Sequence, residues 1–455
     1  MDIPRVVIAG IKSKIGKTMV SIGLMRALTN RGYKVQPYKI GPDFIDPSFH
    51  YFATGRHSRN LDDFMLSEAD LIETFERNFK GADIAIIEGK TGLYDSHDGV
   101  DEKGSTAHVA KILKAPVILI ADVERINRSI AAMLLGYKLF DPKVDIKGVI
   151  LNRVGNPRHA TKVKNAVQKL AKMKVLGLIP RKEGINMPYR HLGLIPAHER
   201  KEFENLFDSL AELIEKHVDV DKIVEIAQKA PELEAVEENP IFKPSKRDIT
   251  IGVIRDKPFS FYYQDNIDAL SAKAKVVIID SLKDKELPEI DALYIGGGFP
   301  EVFAEELEKN VSLRKDIYNF CDSEKPVYAE CGGLMFLGES IITENGEFEM
   351  VGFLPFKTEM HKRFQALGYC IYKATKPNVI SRRGDTIIGH EFHYSKVIPT
   401  GKLEFAYKVR RGKGIDGKHD GVIKKNTLAN YIHVHVLSYP TMVKRFVEFA
   451  RSQRD

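Results

Sequence analysis

The sequence predicts an α/β protein made of two successive units, each built on a mostly parallel sheet. Short, continuous apolar runs alternate with amphipathic stretches along the first half, and the same alternation restarts near residue 250. Continuous apolar runs indicate strands that are covered on both faces, so we expect the first unit to be doubly wound. The length of 455 residues is sufficient for two or three separate cores.

The predicted strands of the first half are RVVIAG, KVQPYKI, ADIAIIEG, APVILIAD, IKGVILNRV and KVLGLIP. Amphipathic stretches between them, including 17–31, 67–80 and 159–173, predict helices. Residues 231–247 carry three prolines and mixed charge without periodicity, which predicts a linker between a domain at 1–230 and a domain at 248–455. From about residue 350 the pattern changes to shorter, turn-rich strands.

The amino-acid composition argues against a membrane-spanning protein and against a nucleic-acid-binding protein. Hydrophobic residues make up 43% and charged residues 29%, and no apolar run approaches the roughly 18 residues that a membrane span needs. Lysine and arginine number 69 against 62 acids, without the dense basic block typical of nucleic-acid binding. Three cysteines and an N-terminus that begins directly with a strand predict a cytoplasmic protein without disulfides. A small anionic substrate suits the net charge of +7.

The segment GIKSKIGKT resembles a phosphate-binding loop between the first strand and the first helix. Gly10 and Gly16 are separated by five residues, where the usual P-loop has four. The loop still lies between a strand and a helix and ends in Lys-Thr. A glycine-rich loop in this position directs its backbone N–H groups toward a phosphate. Lys17 would neutralise the β- and γ-phosphates and Thr18 would bind Mg²⁺, so the sequence predicts an ATP site. Lys12 is either a second phosphate-binding lysine or a solvated surface residue, and the pattern does not choose.

Carboxylates follow several of the predicted strands near this loop. Glu88 ends the strand IAIIE, where it could hold Mg²⁺ directly or through water. Asp43 and Asp46 lie in KIGPDFIDP, which the prolines predict to be a fixed loop, and Asp95 follows the turn in TGLYDS. Each aspartate alone could simply stabilise a turn. Three such segments after successive strands predict one shared site.

The segment EKPVYAECGGLMFLG has the pattern of a nucleophile elbow. Cys331 follows an apolar strand and precedes Gly332 and the start of a helix. A thiol at a helix N-terminus is expected to favour the thiolate, and the N–H that follows the nucleophile can stabilise an oxyanion. His433 and His435 in IHVHV are the candidate bases.

Together these motifs resemble a known family over nearly the whole chain. KIGPDFIDP, EGKTGLYDS and GVILNRV are similar to the dethiobiotin-synthetase-like ATPase domain of cobyrinic acid a,c-diamide synthases. DALYIGGGFPE, YAECGGLMFLG, GHEFHY and YIHVH resemble the class I glutamine amidotransferase domain of the same enzymes. The order of the motifs also agrees with that family.

The resemblance implies two reactions. In the C-terminal domain Cys331 would attack the amide of glutamine with His433 as its base, and the N–H groups of Gly297, Gly298 and Gly332 would form the oxyanion hole. Ammonia would be released there. In the N-terminal domain ATP would phosphorylate the a and c carboxylates of an anionic tetrapyrrole, and ammonia would displace the phosphate.

Further roles are carried over from the same resemblance. It implies that Asp43, Asp46 and Asp95 lie at the site of substrate binding and activation, and that Asn152 in LNRV contacts adenine. Many class I amidotransferases have a glutamate two residues after the base histidine, where this chain has His435. Glu391 and His393 in GHEFHY are therefore the candidates for the group that orients the base.

Three functions remain open at this stage. The first is conversion of cobyrinate to its a,c-diamide in cobalamin biosynthesis. The second is the same chemistry on nickel-sirohydrochlorin, on the path to the nickel tetrapyrrole of methanogenesis, or one enzyme serving both. The third is a non-enzymatic P-loop partitioning or regulatory ATPase, which only Lys12 favours.

Overall fold

The computed structural model describes residues 2–181 and 197–454. The chain divides into two compact units, with the boundary between Glu238 and Asn239. This boundary lies within the stretch 231–247 that the sequence predicts to be a linker.

The first unit is built on one parallel sheet. Its strands are β1 (Arg5–Gly10), β2 (Val35–Ile40), β3 (Arg59–Leu61), β4 (Ile84–Glu88), β5 (Val117–Asp122), β6 (Ile146–Val154) and β7 (Val175–Pro180). Its helices are α1 (Lys17–Asn30), α2 (Ile45–Thr54), α3 (Glu68–Phe79), α4 (Thr106–Ile112), α5 (Ser129–Phe140), α6 (Pro157–Ala166), α7 (Ala197–His217) and α8 (Val220–Gln228). The predicted doubly wound fold class is confirmed.

The strand order places the phosphate loop at the centre of the sheet. The order is β3-β2-β4-β1-β5-β6-β7, and every neighbouring pair is parallel. After β1 the chain moves to one side of the sheet, and after β4 it moves to the other. Ligands of such sheets bind at this switch point, beyond the carboxyl ends of the strands. The loop after β1 and Glu88 at the end of β4 therefore meet there, since Ile8 pairs with Glu88.

The segment KIGPDFIDP differs from its prediction as a loop. Helix α2 begins at Ile45, so Asp46 and Pro47 belong to its first turn. Proline is tolerated in the first turn of a helix, where its missing N–H has no partner to bond. The three-residue strand β3 also escaped prediction, because a run this short carries no periodicity.

The second unit contains a large mixed sheet and a small one. Its strands are β8 (Thr250–Ile254), β9 (Lys275–Ile279), β10 (Ala292–Ile295), β11 (Val327–Glu330), β12 (Ser340–Thr343), β13 (Gly346–Glu349), β14 (Phe356–Met360), β15 (Ala366–Ala374), β16 (Thr386–His393), β17 (Ser395–Pro399), β18 (Phe405–Arg411), β19 (His419–Lys424) and β20 (Thr427–Asn430). Its helices are α9 (Gln264–Lys273), α10 (Ala304–Lys309), α11 (Val311–Asp322), α12 (Gly332–Leu337) and α13 (Thr441–Ser452).

The large sheet brings three candidate segments side by side. Its order is β16-β15-β18-β19-β20-β11-β10-β8-β9, with parallel pairing from β9 to β20 and antiparallel pairing beyond. The strand before Cys331 therefore lies between the strand before the Gly296–Gly298 loop and the strand before His433. Since these strands are parallel, their carboxyl ends meet at one edge.

None of the helices in the described part of the chain combines the length and the apolar character that crossing a bilayer requires.

Candidate active sites

Steric constraints explain the glycines of the phosphate loop. Gly16 has φ +93°, a left-handed conformation that favours glycine, and it directly precedes the fourteen-residue helix α1. A Cβ on Gly10 would lie 2.8 Å from Cδ1 of Ile15 and 2.9 Å from Cδ of Lys17. The five-residue spacing thus still forms a compact loop at a helix N-terminus, which is the arrangement that binds phosphate.

Asn152 supports this loop from β6. Its Nδ2 donates to the carbonyl oxygen of Ile15 at 2.9 Å, and its Oδ1 accepts from the N–H of Arg153 at 2.9 Å. The side chain is buried and therefore fixes the loop conformation. The contact with adenine stays a prediction.

The side chain of Lys17 lies under the loop that follows β4. Its Nζ donates to the carbonyl oxygen of Thr91 at 2.5 Å. Burial, together with the charge of Lys39, lowers the pKa of Lys17 to about 8. An anionic phosphate near Nζ would stabilise the charged form, so this environment suits an anionic ligand.

Glu88 is the centre of a buried network. Its Oε1 accepts from the hydroxyl of Thr18 at 2.7 Å, and its Oε2 lies 2.7 Å from Nε2 of His50. Although burial disfavours its charge, the charge of Lys39 and the hydrogen bond from His50 lower the pKa of Glu88 to about 2. Glu88 therefore carries a negative charge beside the phosphate loop.

Lys39, at the end of β2, is a residue that the sequence reasoning missed. Its Nζ lies 2.9 Å from Oδ2 of Asp46 and 3.5 Å from Oε1 of Glu88, and it donates to the carbonyl oxygen of Gly89 at 3.0 Å. Burial disfavours its charge, yet the facing carboxylates of Asp46, Glu88 and Asp43 raise the pKa of Lys39. A lysine within a fully buried strand was the available signal, because such a charge needs partners.

The three predicted aspartates occupy different environments. Asp46 pairs with Lys39, and its side chain is 13% exposed. Oδ1 of Asp43 accepts from the N–H groups of Ile45 and Asp46 at 2.8 and 3.0 Å, so it stabilises the start of α2. Oδ2 of Asp95 accepts from the N–H of Gly92 at 2.7 Å and closes the turn there. Asp43 and Asp95 have the geometry of turn residues.

Thr18 and Glu88 fit a divalent cation that a nucleotide brings with it. Their hydroxyl and carboxylate oxygens are 2.7 Å apart and lie at the start of α1, which suits the oxygen preference of Mg²⁺. Within the described residues no group of three or more histidine, cysteine, aspartate or glutamate side chains could hold a metal ion. Phosphate oxygens would therefore supply most of the coordination, with Thr18 and Glu88 contributing from the protein.

We expect Asp46→Asn to lower amidation by roughly a hundredfold with either glutamine or ammonia, because Lys39 loses its closest carboxylate and shifts. Glutaminase activity should stay unchanged. Amidation rates and melting temperatures check this, with Asp221→Asn as the control. Like Asp46 in α2, Asp221 is the acidic residue in the first turn of its helix, α8, but its side chain is 88% exposed. Normal amidation by Asp46→Asn would contradict a functional role for Asp46. Inactivity accompanied by a loss of folding in the melting measurement would instead indicate a structural role.

In the second unit, Cys331 has the backbone of a nucleophile elbow. Its φ of 48° and ψ of −98° are strained for a side chain other than glycine, and it directly precedes α12. Sγ donates to the carbonyl oxygen of Phe392 at 3.5 Å. Burial, together with the charges of Glu301 and Glu330, raises the pKa of the Cys331 thiol. The expectation of a resting thiolate is therefore wrong, because burial disfavours the charged form of the thiol at this position.

The side chains of His433 and Cys331 both lie beside Gly297. A Cβ on Gly297 would lie 2.5 Å from Cε1 and 3.3 Å from Nε2 of His433, and 3.4 Å from Cβ of Cys331. A side chain there would clash with His433 and crowd Cys331, which explains the glycine. The fully buried His433 therefore stays the predicted base for the thiol.

The predicted oxyanion donors are not equivalent. The N–H of Gly297 donates to the carbonyl oxygen of Phe261 at 3.3 Å, so it holds the loop. The N of Gly298 would lie 3.0 Å from a Cβ on Gly332, so the backbone approaches closely at these two residues. The hydroxyl of Tyr262 accepts from the N–H of Gly296 at 2.6 Å and fixes the loop further. Gly298 and Gly332 stay the predicted oxyanion donors.

The other candidate groups of the sequence analysis are engaged elsewhere. Nε2 of His435 lies 3.6 Å from Oδ2 of Asp265. Glu391 accepts from the hydroxyl of Tyr372 and from backbone N–H groups at 413 and 414. His393 stacks on Tyr431 at 3.6 Å, and burial lowers its pKa to about 4. Glu391 and His393 thus support neighbouring structure.

Asp420 holds the chain that leads to His433. Its carboxyl accepts from the N–H groups of Tyr431 and Ile432. Burial, with a contribution from the charge of Glu391, raises the pKa of Asp420 to about 8.

A pH-dependent stability follows from this shift. The pKa of Asp420 is higher in the folded state than in the unfolded state, so its contribution to stability is present at low pH and is lost as the pH rises through about 8. We expect the melting temperature of the wild type to fall more between about pH 6 and about pH 9 than that of Asp420→Asn. Parallel pH profiles of the two proteins would contradict this expectation.

Comparison with known proteins gives two family matches and many full-length relatives. Residues 6–195 match the CobQ/CobB/MinD/ParA nucleotide binding domain, and residues 250–441 match the CobB/CobQ-like glutamine amidotransferase domain. A cobyrinate a,c-diamide synthase of Archaeoglobus fulgidus is 65% identical over 454 residues, which cover 100% of this chain and 99% of the relative. A protein of the same name from Methanobrevibacter smithii is 44% identical, and the match covers 96% of this chain and 96% of that relative. Another, from Magnetococcus marinus, is 39% identical, and the match covers 99% of this chain and 98% of that relative.

Proposed function

This chain belongs to the family of cobyrinate a,c-diamide synthases, which are glutamine-dependent ligases, and on that premise we propose that it amidates the a and c carboxylates of a sirohydrochlorin-derived tetrapyrrole. Cobyrinate is the proposed substrate, and ATP and glutamine are the proposed co-substrates. Membership in an enzyme family sets aside the regulatory ATPase alternative. The observation that carries the proposal is that one chain has both a thiol elbow beside a buried histidine and a phosphate loop beside a lysine–carboxylate network.

At the thiol, Nε2 of His433 takes the proton from Sγ of Cys331 as sulfur attacks the amide carbon of glutamine. The carbonyl oxygen becomes an oxyanion that the N–H groups of Gly298 and Gly332 stabilise. Collapse breaks the C–N bond, and the imidazolium returns its proton to the leaving nitrogen, which departs as ammonia. Water then hydrolyses the thioester to glutamate and regenerates the thiol.

At the phosphate loop, backbone N–H groups at the start of α1 and the ammonium of Lys17 hold the phosphates of ATP. Mg²⁺ held by Thr18 and Glu88 would balance charge on the β- and γ-phosphates. A carboxylate of the tetrapyrrole attacks the γ-phosphorus and ADP leaves. Ammonia then attacks the resulting acyl phosphate, forming the amide and releasing phosphate. Lys39, held by Asp46 and Glu88, neutralises negative charge where the anionic substrate and the phosphates meet.

The substrate is tested by incubating the protein with ATP, glutamine and either cobyrinate or nickel-sirohydrochlorin, and counting amidations by mass spectrometry. We expect two amidations of cobyrinate. Amidation of nickel-sirohydrochlorin alone would assign the same chemistry to the nickel pathway, and amidation of both would indicate one enzyme for two macrocycles. Failure to amidate either macrocycle, by protein that hydrolyses glutamine, would contradict the proposed substrate class.

A further inference from the structure

We propose that Glu330, the residue directly before Cys331, is the positioning residue that orients His433. Oε2 of Glu330 lies 3.5 Å from Nδ1 of His433, and both side chains are buried. The inference rests on the proposed roles of Cys331 and His433. It assigns to the nucleophile strand the function that many class I amidotransferases give to a glutamate two residues after the histidine.

The carboxylate of Glu330 is fixed by donors on several segments. Oε1 accepts from the hydroxyl of Tyr328 at 2.6 Å and from the N–H of Val434 at 3.3 Å, and Oε2 accepts from the hydroxyl of Tyr294 at 3.1 Å. A carboxylate has about four acceptor positions, so these three bonds leave one direction for the imidazole. The geometry of Glu330 is therefore predetermined before substrate binds.

The protonation of the two tyrosines determines which group donates in these hydrogen bonds. Burial, followed by the charge of Glu330, raises the pKa of both Tyr294 and Tyr328. Both phenols therefore keep their protons and donate to Glu330. The two rings stack with centroids 5.2 Å apart, which restricts their movement.

The fold explains why the carboxylate comes from β11. Glu330 pairs with Asn430 of the neighbouring parallel strand β20, and the chain from Asn430 continues to His433. The N–H of Val434 then bonds back to Glu330. The end of the nucleophile strand and the histidine segment are thus joined at Glu330.

This placement favours one tautomer of His433. At 3.5 Å the carboxylate of Glu330 attracts a proton on Nδ1, and Nε2, which lies beside Gly297 and Cys331, can then accept the thiol proton. When Nε2 takes the thiol proton, the nearby carboxylate of Glu330 stabilises the imidazolium. This matters here because the resting thiol is neutral and needs an effective base.

The second histidine provides a matched control. Nε2 of His435 lies 3.6 Å from Oδ2 of Asp265, and this pair is as buried as the pair of His433 and Glu330. Its Nδ1 accepts from the N–H of Leu437 at 3.2 Å, so the ring is held in its own position. Asp265→Asn therefore removes a buried carboxylate beside a histidine without touching the proposed proton path.

The test compares Glu330→Gln with Asp265→Asn in the full-length protein. For Glu330→Gln we expect kcat of the glutaminase reaction to fall by roughly two orders of magnitude, with KM for glutamine unchanged and ammonia-dependent amidation retained. Asp265→Asn should keep the kcat and the KM of the wild type.

The inference is overturned if Glu330→Gln keeps the wild-type kcat, or if Glu330→Gln and Asp265→Asn lower kcat equally. If Glu330→Gln does not fold, nitrogen NMR of ¹⁵N-histidine in the wild type decides: a proton on Nδ1 of His433 supports the inference, and a proton on Nε2 overturns it. Cys331→Ser separates this result from the premise. Glutaminase activity in that variant would refute the assigned nucleophile whatever Glu330 does.

Discussion

Cys331→Ser is expected to lose glutamine-dependent amidation by roughly three orders of magnitude or more while ammonia-dependent amidation continues. Only the thiol can form the thioester through which glutamine releases its ammonia. Amidation of the activated carboxylate in the first unit should accept ammonia from any source. His433→Ala should give the same selective loss. The measurement is the amidation rate with glutamine and with an ammonium salt as alternative nitrogen donors.

The control for the thiol is Cys321→Ser, since Cys321 is also buried but lies in α11. It should keep both activities. Equal loss of both activities in folded Cys331→Ser would contradict two separable reactions. If His435→Ala lost glutaminase activity and His433→Ala kept it, the proposed base would be wrong.

Lys17→Ala is expected to lose amidation with both nitrogen donors by roughly a hundredfold or more, because its charge no longer stabilises the phosphoryl group in transfer. Its Nζ also anchors the loop after β4 through Thr91, so the same change loosens the segment that carries Asp95. Glutaminase activity at the thiol should remain. The rates of ATP hydrolysis and of amidation with each donor measure the effect.

Lys14→Ala is the matched control, because Lys14 lies in the same loop with an exposed side chain. We expect it to behave like the wild type. Ammonia-dependent turnover by Lys17→Ala at the wild-type rate would show that residues 10–18 do not form the ATP site used for activation.

The sequence was sufficient to predict the parts of the fold that depend on local pattern. Buried parallel strands such as β1 and β5 are continuous apolar runs, which remain visible without tertiary information. The first turn of α2 was not predicted, because two prolines indicate a loop unless one of them occupies the first turn of a helix. Strand β3 has three residues and depends on its neighbour β2 for its conformation.

The residues of the candidate sites likewise fall into two groups, those that the local sequence predicts and those that only tertiary contacts reveal. The local pattern of strand, glycine-containing turn and helix identified Cys331 and Lys17, whereas Lys39 and Glu330 gain their roles from contacts with distant segments. Both are single charged residues within buried strands, and such charges require partners that only the folded chain supplies. The expectation of a thiolate failed because a helix N-terminus predicts a dipole, while the depth of burial depends on tertiary packing.

The central claim is that nitrogen released at the thiol replaces a carboxylate oxygen that ATP has phosphorylated and that leaves with inorganic phosphate. A single reaction with glutamine labelled with ¹⁵N in its amide and tetrapyrrole labelled with ¹⁸O in its carboxylates tests this directly. We predict one ¹⁵N in the tetrapyrrole and one ¹⁸O in inorganic phosphate for each amide formed. Amides formed without ¹⁸O in the phosphate, or without ¹⁵N in the product, would contradict the account.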